Sequence, residues 1–170
     1  ERAWKAIARA TELSKNAPEN ERAYVQALVK RYSKDAHEGR QKLAVAYKDA
    51  MKAVKEQYPD DLDAATLYAE SLMNLRPWQL WTADGLPAEG TLEIVEVLEG
   101  VLRRDPNHPG ANHYYIHAVE ASKTPERALP SATRLGSIMP GAGHIVHMPS
   151  HIFLRVGDFQ SSATVNETAS

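Results

Sequence analysis

Two His-x-x-x-His pairs, His113/His117 and His147/His151, stand 34 residues apart, each member of the first matched by its counterpart in the second. A spacing of four places both imidazoles of a pair on one face of a helix. Two such helices packed side by side, ~8–10 Å apart, would aim four imidazoles at one place. The chain has seven His, and six of them lie between 108 and 151. Neutral imidazole is the commonest protein ligand for Zn, Cu, Fe and Ni, so the chemistry on offer is transition-metal binding. His144 stands close enough in sequence to join the set. A carboxylate such as Glu70 or Glu120 could complete the ligand shell or fix an imidazole's tautomer from behind. These donors suffice for one ion or for two.

Composition narrows the alternatives. At 170 residues, with 43% apolar and 25% charged residues, the chain has the make-up of a globular domain, and one domain over 1–170 is expected. A net charge of −2 gives no basic stripe of the kind that accompanies nucleic-acid binding. No apolar run approaches the ~20 residues of a membrane span. There are no cysteines, so any metal is held by His, Asp and Glu. The chain begins at Glu1 and stops at Ser170 within an expected helix, which suggests a processed or truncated product. The lack of Cys leaves periplasm, exterior and cytoplasm equally open.

The elements that must position these donors are helical. Pro18, Pro59, Pro106 and Pro140 each close a helical stretch and lead into a short polar or glycine-bearing turn. Their intervals of 41, 47 and 34 residues point to stacked helix pairs. Apolar stripes of helical period include Leu43, Tyr47, Met51 and Val54, and Leu92, Val95, Leu98 and Leu102. The spacing predicts helices near 2–16, 20–34, 40–57, 61–75, 90–104, 110–122, 125–138, 143–156 and from 159 onward. β-branched alternation is absent, so an all-α fold without sheet is expected. Residues 76–90, with Pro, Gly, Trp78 and Trp81, read as an insertion. Its tryptophans either cover the edges of neighbouring helices or form a lid over a ligand.

The segment Leu102-Arg-Arg-Asp-Pro-Asn-His-Pro-Gly-Ala111 and the 34-residue step from Pro106 to Pro140 resemble the tetratricopeptide repeat (TPR) family. Ala69 and Ser150 fall at the offset where that family prefers a small residue, and Gly157-Asp-Phe159 resembles its intra-repeat turn. Ile116 departs from the pattern at the small-residue position. Gly143-His-Ile-Val-His-Met-Pro-Ser-His151 resembles a bacterial subgroup of the family. The resemblance implies a right-handed superhelix of antiparallel helix pairs whose first helices line a concave surface.

Counted from the closing prolines, Thr66, His113 and His147 share the seventh position, and Glu70, His117 and His151 the eleventh. Asp63 and His144 share the fourth, and Glu120 follows Pro106 by fourteen. By resemblance these offsets belong to the concave face, and separations of 3, 4 and 7 independently keep side chains in one stripe. The expected ligands of a Zn, Cu or Fe ion are therefore His113, His117, His144, His147 and His151, with Glu70 and Glu120. Asp63, Thr66, Trp78 and Trp81 are candidates for contact with a partner or ligand. His37 and His108 lie off the stripe and are expected to be solvated or to cap a turn.

Pro149 admits two readings: it kinks a helix by freeing the carbonyl of Ile145, or it opens one at its first turn. An enzyme is the weaker reading. Neither His pair carries the Glu of His-Glu-x-x-His, since Tyr114 and Met148 follow the first His, and no nucleophile elbow or phosphate loop is present. The competing function is a metal-free scaffold that binds a peptide or protein, or stacks end to end with copies of itself into a filament.

Overall fold

The computed structural model describes residues 2–35 and 38–169. His37 lies outside the described residues. Among the described residues the fold is all-helical, with no strand and a single isolated bridge between Trp81 and Pro87. Among the described residues no helix is long and apolar enough to cross a membrane. Contacts gather into two compact units, Glu1–Leu75 and Arg76–Ser170, and the boundary falls where the insertion begins.

The first unit holds α1 (Arg2–Leu13), α2 (Glu19–Val29), α3 (Arg40–Gln57) and α4 (Leu62–Met73), each packed on the next. Tyr47, Met51 and Val54 of α3 are buried at helical spacing, as their stripe requires. Asp61 starts α4 by accepting from the Ala64 amide at 3.0 Å, which satisfies one of the orphan donors of the first turn.

The second unit holds α5 (Thr91–Arg104), α6 (Pro109–Val119), α7 (Leu129–Ile138), α8 (Gly143–His147), α9 (Pro149–Val156) and α10 (Phe159–Thr168). In α5 the buried stripe is Ile94, Val95, Leu98 and Val101, while Leu92 is exposed. Pro109 occupies the first turn of α6, where its missing N–H costs nothing. His108 caps that helix, its Nδ1 accepting from the Ala111 amide at 3.1 Å.

Two expected helices are divided by proline. The 125–138 segment becomes a 3₁₀ turn (Pro125–Ala128) followed by α7, with Pro130 in the first turn. The 143–156 segment becomes α8 and α9, and Pro149 opens α9, so the second reading of that proline holds. Pro149 has no N–H to offer the Ile145 carbonyl, and in the first turn of α9 the His151 amide donates to the Met148 carbonyl at 3.2 Å. Gly157, at φ +84°, ends α9 in the left-handed region that a side chain would strain. Asp158 then caps α10 by accepting from the Ser161 amide at 3.1 Å.

Within this unit α9 packs on α7 and α10, and α8 packs on α7 and α10. A Cβ at Gly143 would lie 2.8 Å from the carbonyl oxygen of Ala169, so α8 meets the end of α10 at a separation only glycine permits.

Candidate metal centre

Five of the six clustered imidazoles form one continuous group in the second unit. His113 and His117 come from α6, His144 and His147 from α8, and His151 from α9. Ring centroids run 5.0 Å from His113 to His117, 5.4 Å from His117 to His151 and 4.9 Å from His151 to His147. The circuit closes through His144, 6.3 Å from His147 and 5.0 Å from His113. Met148, between α8 and α9, keeps helical backbone angles (φ −53°, ψ −37°), so His147 and His151 stay four residues apart on one face and in contact.

Glu120, the residue capping the end of α6, lies beneath two of these rings. Its Oε1 is 3.0 Å from His117 Nδ1 and its Oε2 is 2.6 Å from His151 Nδ1. An ionised carboxylate only accepts, so both rings donate from Nδ1 and keep their lone pair on Nε2. Burial raises the proton affinity of Glu120, but the hydrogen bonds from His117 and His151 outweigh it and hold the group at about 2. His113 is held at about 4, first by burial and then by the neighbouring imidazoles His117, His144 and His151. His144 is lowered too, by desolvation and by its neighbours His117, His147 and His151. Rings kept neutral in this way present lone pairs at neutral pH, the form a metal requires.

Two sets of three bring one donor atom each within 4.8 Å of one another: His113, His117 and His144, and His117, Glu120 and His151. These clustered side chains could hold a metal ion. The two sets differ in what an ion would displace. In the second, the close contacts are the two hydrogen bonds to Glu120, which a cation would have to break. In the first, His113 Nε2 and His144 Nε2 stand 3.1 Å apart, and the Nε2 lone pair of His117 is uncommitted by its bond to Glu120. Two nitrogens on one ion at ~2.0–2.1 Å lie roughly 2.9–3.4 Å apart, so this pair is already at ligand spacing.

The remaining candidates belong to neither set. Glu70 is in the first unit and belongs to neither set: its carboxylate accepts from Arg31 at 3.2 Å and from Asn74 at 2.5 Å. Thr66 is buried in α4, its hydroxyl donating to the Leu62 carbonyl, and Asp63 sits in the first turn of the same helix. Trp81 donates from Nε1 to the Ala118 carbonyl at 2.7 Å and so ties the insertion to α6. Trp78 is 83% exposed, yet its ring meets His117 edge-on at 5.7 Å, and its backbone holds φ +62°. Asn166 of α10, with no periodic relation to the imidazoles, was not expected: its Oδ1 lies 2.5 Å from His147 Nδ1. No family model, curated protein or solved structure matches the chain.

Proposed function

We propose that this chain is a TPR-like helical repeat protein whose second unit binds a transition-metal ion, Zn, Cu or Fe, through His113, His117 and His144. The observation that carries the reading is the 3.1 Å approach of His113 Nε2 to His144 Nε2, with a His117 nitrogen within 4.8 Å of both. Such a set matches imidazole-rich sites with three protein ligands and room for water or an exchangeable ligand. Glu120 supports it from behind by fixing the ring of His117, as carboxylates do at many His-held metals. The repeat reading is supported by the helix–turn–helix of α9 and α10 around Gly157 and Asp158, and by the buried small residues Ala69 and Ser150.

The test is metal titration of the full chain, with Zn²⁺ by calorimetry and Co²⁺ by its visible absorption. Wild type takes up at least one equivalent, and His113→Ala and His144→Ala each weaken that uptake by tenfold or more. No uptake by wild type would leave the metal-free scaffold as the function.

A further inference from the structure

We propose a second cation site, between Nε2 of His147 and Nε2 of His151, separate from the three-imidazole set and built by two residues that fix the tautomer of each ring. The proposal rests on the reading of the first site as metal-binding and makes the centre dinuclear.

The hydrogen-bond partners around the two rings fix which nitrogen of each carries the proton. Asn166 Nδ2 donates to the Ser162 carbonyl at 2.8 Å, one turn back on α10. That bond sets the amide orientation and leaves Oδ1, an acceptor, facing His147 Nδ1 at 2.5 Å. His147 therefore carries its proton on Nδ1. His151 carries its proton on Nδ1 as well, because that nitrogen faces Glu120 Oε2 at 2.6 Å. Each neutral ring then has its lone pair on Nε2, and these two atoms stand 3.0 Å apart. Two facing lone pairs repel, and either a proton shared between them or a metal cation placed against both relieves them. A cation at ~2.0–2.1 Å from each nitrogen would see them at an angle of roughly 95°, a cis pair in its coordination shell.

Both supports come from outside the pair. Glu120 reaches in from the end of α6 and Asn166 from α10, so four elements, with α8 and α9, converge to present two lone pairs at one point. That is how His ligands are held at built metal sites, where the second nitrogen is bound to a carboxylate or a carbonyl oxygen. The ligand class is a first-row divalent cation of imidazole preference, such as Zn²⁺ or Cu²⁺, with water or an exchangeable ligand filling the remaining positions.

The first measurement uses metal-free wild type and reads ring ¹⁵N shifts at pH 7.5. His147 and His151 should both show the Nδ1–H tautomer, and His147 should lose it in Asn166→Leu and keep it in Asn166→Asp. The second is Zn²⁺ stoichiometry on the full chain. Wild type should bind two ions, His147→Gln one, and Asn166→Leu should weaken the second ion tenfold or more while Asn166→Asp retains it. Wild type binding one ion that His147→Gln keeps and His113→Ala loses overturns the second site and leaves the first standing. Wild type binding no ion overturns both. An Nε2–H tautomer at His147 or His151 in the metal-free chain overturns the second site whatever the stoichiometry.

Discussion

Glu120 and His151, 31 residues apart in sequence, are joined by a 2.6 Å hydrogen bond between a carboxylate oxygen and Nδ1. The same carboxylate holds His117 with its other oxygen, so one side chain sets two imidazoles from two helices. This makes Glu120 the hub of the centre even if it never touches an ion.

Replacing that hub should therefore weaken metal binding without removing a ligand. Loss of a carboxylate behind His ligands typically costs ~10–100-fold in affinity. Glu120→Gln keeps the shape and one acceptor oxygen, so its loss should be smaller than that of Glu120→Ala. Competition against a chromogenic chelator checks the order, and equal affinities for wild type and Glu120→Ala would contradict it.

Acid should destabilise the metal-free chain over a defined range. His113 is held at about 4 in the folded chain against 6.5 ordinarily, first by burial and then by His117, His144 and His151. The unfolded chain thus binds more protons between those values, and stability falls as pH drops from 6.5 towards 4. Glu120, at about 2 against 4.5, contributes stability that is present above 4.5 and lost as pH falls towards 2. Urea midpoints should be level above about pH 7 and decline steadily below 6.5. Midpoints that rose between pH 7 and 5 would reverse the sign of this linkage.

Among the described residues five imidazoles lie in the centre and His108 lies outside it, and substitution should separate them. His108 caps α6 through Nδ1, a task an Asn side chain also performs. His108→Asn should leave metal affinity at the wild-type value, while His117→Ala, which empties a place in the three-imidazole set, should lower it by tenfold or more. A drop in His108→Asn as large as that in His117→Ala would mean the His-rich segment acts by general charge and not by geometry.

Trp78 offers an optical report. Its ring meets His117 at 5.7 Å and the residue is largely exposed, while Trp81 is tied down through Ala118. Bound Cu²⁺ or Co²⁺ should quench indole emission, and Trp78→Phe should remove more of that quench than Trp81→Phe. The backbone of Trp78 is at φ +62°, a left-handed conformation that costs a side-chain-bearing residue about 1–2 kcal/mol. Trp78→Gly relieves that strain at little loss of burial, so its thermal midpoint should be no lower than wild type.

Much of the frame was legible because helix signals are local. The proline stops, the stripe of Tyr47, Met51 and Val54, and the fourfold His spacing all act within a few turns. Period alone was not enough in α5, where Leu92/Val95/Leu98/Leu102 and Ile94/Val95/Leu98/Val101 are both helical stripes, and packing chose the second. Pro149 and Pro130 divided helices for a reason visible in the residue type, but their neighbours decided that each would open a helix and not kink one. Glu70 shares the offset of His117 and His151, yet Arg31, 39 residues earlier, takes its carboxylate. Asn166 meets His147 from 19 residues away on another helix. No spacing rule links either pair, because such partners are set by tertiary packing.

Packing of α8 against α10 should position the centre. Gly143 begins α8, four residues before His147, and a Cβ there would lie 2.8 Å from the backbone oxygen of Ala169 at the end of α10. Backbone cannot yield as a flexible side chain would, so Gly143→Ala must push α8 and the end of α10 apart. Asn166 is three residues before Ala169, and its contact with His147 is a polar link between these helices at the centre. Separating them should lengthen that contact and free the His147 ring, while His113 and His117, carried by α6, stay in place. Zn²⁺ titration of Gly143→Ala should therefore show weakening of the ion that depends on His147, at least tenfold, with a smaller change in the ion held by His113 and His117. Thermal unfolding in the absence of metal provides the control, since overpacking commonly costs ~1–3 kcal/mol by itself. A variant destabilised by that amount, yet binding Zn²⁺ as wild type does, would show that the close approach of α8 to α10 serves the fold and not the centre.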